Sequence, residues 1–195
     1  MPPASEIHTA QKARLIVFSE DHLPVARVSS FLEAIDSAYV SLSDLHASLS
    51  SESTVISERS TRPKYYPLLV GKPINVSGFD SILELSRVHM NSPGIWEFLG
   101  KLNPLEVIRL ALNDAHERRK DRSYRESAEA DALRLNNLLS RVKLVKEYAE
   151  LLKQMGASDK EIRQIMQIWI EKPLSALDSA SLFFSKDVQL DQGTE

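Results

Sequence analysis

Apolar residues along the chain change their period several times, and the changes divide it into elements. Arg14 to Phe18 (Arg-Leu-Ile-Val-Phe) is an apolar run of strand length and predicts a buried strand. Pro24 suits a first helical turn. Beyond it Val25, Val28, Leu32, Ile35, Tyr39, Leu42 and Leu49 recur at three- and four-residue steps or their sum, which predicts an amphipathic helix to Leu49 lying over a sheet. Residues 48–62 turn to Ser, Thr and Glu around Val55-Ile56 and read as a mobile connection or a weak edge strand. Tyr65 to Val70 and Lys72 to Val76 carry strand-like side chains but are cut by Pro67, Gly71, Pro73 and Gly78, which fits edge strands and turns better than a central strand. Ile82 to Met90 predicts a second strand. Its alternation slips once between Leu85 and Val88, and a bulge near Ser86 or Arg87 accounts for the slip. Asn91-Ser92-Pro93-Gly94 is a turn, and residues 93–102, with Ile95 to Leu102 apolar, read as a connector.

From Asn103 to Met155 the chain has no glycine and, after Pro104, no proline, so it reads as one long helix. At 1.5 Å per residue such a helix would be about 78 Å long, whereas a compact globule of this chain length is only about 40 to 45 Å across. The helix must therefore protrude, break, or be covered by another chain. Asn103 is a good N-cap, Pro104 a good first helical residue, and Glu106 sits where a capping-box acid reaches back. Gly156 is a C-terminal stop, and Ser158 with Glu161 forms a second capping box. The following helix carries Ile162, Ile165, Met166 and Trp169 and ends at Pro173, giving an antiparallel helical hairpin over residues 103–172. Residues 173–195 are expected to hold a short helix and a disordered polar tail after Asp187, and residues 1–12 a flexible leader.

Within the long helix, Leu135, Leu138, Val142, Val145, Ala149 and Leu152 follow the 3-4 spacing of a coiled-coil seam. A second row, Leu144, Tyr148, Leu151 and Met155, widens the apolar face enough to meet more than one helix. Core packing within one chain and contact with another chain explain these rows equally well, because the heptads are few. Toward the N-terminus the seam fails at Asp131, Ala128, Tyr124 and Asp121, and a cluster of Arg118, Arg119, Lys120, Arg122 and Arg125 takes its place. Acidic neighbours from Asp114 to Asp131 match these charges almost one for one. Asp114–Arg118 and Asp121–Arg125 have acid before base at four-residue spacing, each worth about 0.2–0.5 kcal/mol to an exposed helix. A self-stabilised, solvated helix face is the simplest reading; ion pairing with another protein comes next and phosphate binding last. Ser123 with Glu126 would cap a new helix and make an elbow here, but no glycine or proline forces a break, which favours continuity.

Composition narrows the chemistry. With 195 residues, 43% of them apolar, the chain can bury a sizeable core. A formal charge of −3 gives no global attraction to nucleic acid or anionic membranes. The absence of cysteine excludes disulfides, thiolate catalysis and cysteine-ligated metals. No apolar run approaches the roughly 18 residues that span a bilayer, and a cytoplasmic location is the expectation. His8, His22, His46, His89 and His116 are scattered, none with a second histidine at helical ligand spacing, so no metal site is expected. No phosphate-binding or dinucleotide-binding glycine loop and no nucleophile elbow occurs. Asp80, Glu84 and Arg87 around the second strand are the nearest approach to a catalytic group, of the kind a magnesium-dependent nuclease uses. Trp96 and Phe98 read first as core; if exposed, they would anchor a protein partner rather than a lipid surface, because only Lys101 supplies nearby positive charge.

The sequence thus predicts an α+β, helix-dominated protein: a small α/β domain over residues 13–92, then the helical hairpin. The expected function is non-enzymatic protein–protein interaction or assembly, as an adaptor or scaffold whose helical arm makes a homo-oligomer or binds a protein partner. Interface candidates are Trp96, Phe98, Leu135, Leu138, Val142, Val145, Tyr148, Leu152 and Trp169, with Arg118, Arg119, Arg122 and Arg125 as an ion-pairing cluster. No cofactor, metal ligand or catalytic residue is assigned. The alternatives are a metal-dependent nuclease or hydrolase using Asp80 and Glu84, and a nucleic-acid adaptor using the basic cluster.

Overall fold

The computed structural model describes residues 12–20, 22–50, 65–71, 82–89, 93–121, 143, 145–184 and 188–191. They form an α+β fold dominated by helices, with one four-stranded antiparallel sheet of β1 (Lys12–Ser19), β2 (Glu84–His89), β3 (Gly94–Lys101) and β4 (Gln189–Asp191) in the order β2-β3-β1-β4. Strand β1 (Lys12–Ser19) buries Ala13, Leu15, Val17 and Ser19 and turns Lys12 and Arg14 outward, the period of two that a half-covered sheet imposes. Helix α1 (Val25–Ser50) covers the inner face with Phe31, Ile35, Ala38, Tyr39, Leu42 and Leu45, the stripe its spacing predicts.

Strand β2 (Glu84–His89) pairs with β3 (Gly94–Lys101), and the register shifts between Leu85 and Arg87, where the slipped alternation calls for a bulge. β3 itself corrects the sequence reading. Residues 93–102, read from sequence as a connector, supply an interior strand; Ile95 and Leu99 are half-buried on the face opposite Trp96 and Phe98, so the run is apolar on both faces and lacks a clean alternation. Gly100 in this strand lies under Tyr39: a Cβ there would come within 2.7 Å of the ring, and Tyr39 Oη accepts from the Lys101 N–H at 2.8 Å.

The expected edge strand at Tyr65 to Val70 is instead a short helix, α2 (Tyr66–Leu69), with Pro67 in its first turn and Leu68 buried. The companion strand at 72–76 and most of the 48–62 connection lie outside the described residues. The tail is corrected too. Strand β4 (Gln189–Asp191) pairs antiparallel with β1, setting Leu190 opposite Leu15, and Val188 is buried just before it.

Helix α3 (Leu102–Asp121) lies in the core, burying Leu105, Ile108 and Leu112, and α4 (145–154) buries Tyr148 and Leu152. A straight helix would separate Asn103 from Tyr148 by about 68 Å. Instead His46 of α1 touches both, its Nε2 3.5 Å from Asn103 Nδ2 and its Nδ1 3.5 Å from Tyr148 Oη. The run from Asn103 to Met155 is therefore not one straight rod; residues 122–142, with the Ser123 elbow, lie outside the described residues.

Gly156 ends α4 at φ 90°, with its N–H bonded to Lys153 O and the Ala157 N–H to Leu152 O, a glycine stop with two backbone bonds. Ser158 and Glu161 form the predicted capping box of α5 (Asp159–Met166). Pro173 does not end the helix as expected. A π-helical turn at Gln167–Glu171, marked by the Lys172 N–H bonding Gln167 O, widens the backbone ahead of the proline, which then sits in the first turn of α6 (Lys172–Ala180). One apolar cluster takes residues from β1, α1, β3, α3, α4, α5 and α6. No described helix is long and apolar enough to cross a membrane.

Candidate interaction surface

The helical layer contains a cleft of about 300 Å³. Leu42 of α1, Val107 and Ala111 of α3, Val145 of α4 and Leu174 of α6 form apolar walls. Its polar lining comes from Glu171 in the π-helical turn, Ser175 and Asp178 in α6, and Tyr148 in α4. The cleft exists because helices from distant parts of the chain converge here, and the π-helical turn contributes Ile170 and Glu171 to its lining.

Tyr148 backs onto His46, with ring centroids 6.2 Å apart. Burial, with the charge of Glu147 adding to it, pushes the Tyr148 phenol up to about 12. The phenol is thus protonated throughout the physiological range and unsuited to act as a base. Burial and then the positive charge of Lys101 lower the pKa of His46, favouring the neutral ring. A neutral imidazole has one donor and one acceptor nitrogen, so His46 cannot accept from both Tyr148 and Asn103. The arrangement that satisfies both contacts has Nδ1–H donating to Tyr148 Oη and Nε2 accepting from Asn103 Nδ2.

The residues singled out by sequence separate into distinct environments. Val145 and Tyr148 line the cleft. Trp96 and Phe98, 4% and 2% exposed, are core residues with no surface to offer a partner. Trp96 Nε1 donates to Ser19 Oγ at 3.0 Å, and Phe98 meets Phe31 edge to face. Leu152 and Trp169 are also buried, the latter donating through Nε1 to Leu68 O at 2.8 Å. Leu135, Leu138, Val142, Arg122 and Arg125 lie outside the described residues, as do the side chains of Arg118 and Arg119. So does Asp80, while Glu84 is exposed on β2. Among the described residues no three His, Asp or Glu side chains gather as a metal site would require.

Sequence reasoning passed over Glu97. Strand pairing places its carboxylate between Arg14 Nε at 3.8 Å and Arg87 Nη1 at 3.5 Å, on the sheet face opposite the helices. That charge triplet joins three strands, so no local motif signals it. His46 was equally hidden, since its partners are 57 and 102 residues away. Comparison with family models, with curated proteins and with solved structures finds no match.

Proposed function

We propose that the chain is a non-enzymatic protein–protein interaction or assembly module, with its helical part as the contact surface for self-association or for a protein partner. The observation that carries this reading is the cleft. Its walls are apolar, its lining includes the carboxylates of Glu171 and Asp178, and it takes in Val145 and Tyr148 of the predicted arm. A protruding apolar side chain with a basic neighbour suits such a groove: the apolar part leaves water and the base lies beside the exposed Glu171. The high pKa of Tyr148 favours a packing role over a catalytic one. In this reading the expected hairpin over residues 103–172 continues the contact surface, and the arm remains the region where a partner meets the chain.

Light scattering over a concentration series tests the self-association version. The expected result is a mass that rises above the monomer with concentration. A monomer at every concentration removes that version.

A further inference from the structure

We propose that the edge strand β2 pairs with β2 of a second copy, antiparallel about a two-fold axis between Ser86 and Arg87, joining two four-stranded sheets into one. The inference rests on the assembly reading above; it assigns the contact between copies to the sheet edge and leaves the cleft to a protein partner.

β2 is bonded to β3 on one side, and among the described residues no strand lies on its other side. All six of its residues are exposed. Leu85 and Val88 remain 45% and 38% exposed, large apolar side chains at a free edge. Edges of this kind pair with another strand unless charge, shortness or a bulge prevents it. β2 has both charge and a bulge, so their placement decides the matter.

Without the bulge, Leu85 and Val88 would point to opposite faces, being three residues apart. The register shift puts both against inward-facing residues of β3, Leu85 opposite Phe98 and Val88 opposite Trp96. Glu84, Arg87 and His89 fall opposite Leu99, Glu97 and Ile95 on the outer face. From its ends inward, the strand therefore reads outer then inner in both directions. A second copy running antiparallel and centred between Ser86 and Arg87 matches that palindrome. Leu85 then meets Val88 of the other copy, and Glu84 meets His89, each pair occurring twice by symmetry. A shift of one residue would set Leu85 against Arg87 and apolar against outer-facing side chains. The bulge that would spoil pairing with an arbitrary strand thus makes this one self-complementary.

The test uses the full chain, with dissociation constants from light scattering and circular dichroism to verify that each variant is folded. Val88→Lys places a charge opposite Leu85 twice per dimer and is expected to abolish dimers. His89→Glu creates two symmetry-related Glu–Glu pairs and is expected to weaken the dimer roughly tenfold. Glu84→Lys with His89→Glu in one chain restores opposite charges across the axis and is expected to recover most of that loss. Failure of the double variant to recover overturns the register. Dimers that survive Val88→Lys but are lost in Val145→Asp overturn the inference and leave the cleft as the interface. A parent protein that is monomeric at every concentration overturns both the β2 pairing and the self-association version of the proposed function, leaving only its partner-binding version.

Discussion

His46 shows how one side chain can report on the whole helical layer. Its ring lies between α3 and α4, where burial and Lys101 favour the neutral form. The folded protein therefore binds fewer protons at this site than the unfolded chain, whose histidine titrates near the ordinary value of about 6.5. By linkage, the stability associated with the neutral ring is present above that value and is lost as the pH falls toward the lowered folded pKa. Asp44 on the same helix acts in the opposite sense, since burial raises its carboxyl pKa and acid then favours the folded form. The comparison of two proteins isolates the histidine. Urea midpoints measured from pH 7.5 down to pH 5 are expected to fall more steeply in the parent than in His46→Gln. Equal slopes would mean that His46 is not the group responsible.

At the scale of elements, two glycines separate backbone freedom from packing. Gly100 is needed for space, because Tyr39 fills the volume a Cβ would take. Gly156 is needed for its positive φ, and nothing lies within 4 Å of a Cβ placed there. Gly156→Ala is therefore expected to cost about 1 kcal/mol in a denaturant titration, the left-handed backbone penalty alone; a cost several times larger would reveal an unseen steric contact. Gly156 and the Ser158–Glu161 box were legible in the sequence because a stop and a cap are local devices, each complete within a few residues. β1, α1 and the β2 bulge were legible for a related reason, since a face covered from one side leaves its period in the chain. β3 was not: Ile95 and Leu99 stand half-buried on the face opposite Trp96 and Phe98, so the run is apolar on both faces and shows no clean alternation. Pro173 misled because its effect depends on the backbone before it, and a π-helical turn lets the helix pass into α6. Of the candidate surface, Val145 and Tyr148 could be read from their apolar rows. The acids Glu171 and Asp178 could not, because only the convergence of helices gives them a shared cleft.

At the scale of the molecule, the question raised by a chain segment longer than its globule has a geometric answer. Asn103 and Tyr148 both reach His46, so α3 and α4 meet over the same part of α1. Their apolar residues are spent largely on one shared core, which includes Ile108, Leu112, Tyr148 and Leu152. Among the described residues, the cleft is a place where apolar side chains of both helices, Val107 and Ala111 of α3 and Val145 of α4, stay open. Because the chain contains no cysteine, a pair of spin labels can be placed without removing native thiols. Asn103→Cys and Lys146→Cys are suitable sites, both residues being exposed. A continuous straight helix would hold the two backbones about 65 Å apart. Convergence on His46 instead predicts a main distance below about 30 Å, since a compact globule of this length measures only about 40 to 45 Å across its full width. Dilution with unlabelled protein separates distances within one chain from distances between copies. A dominant long distance that survives dilution would restore the protruding arm and move the expected contact surface away from the cleft.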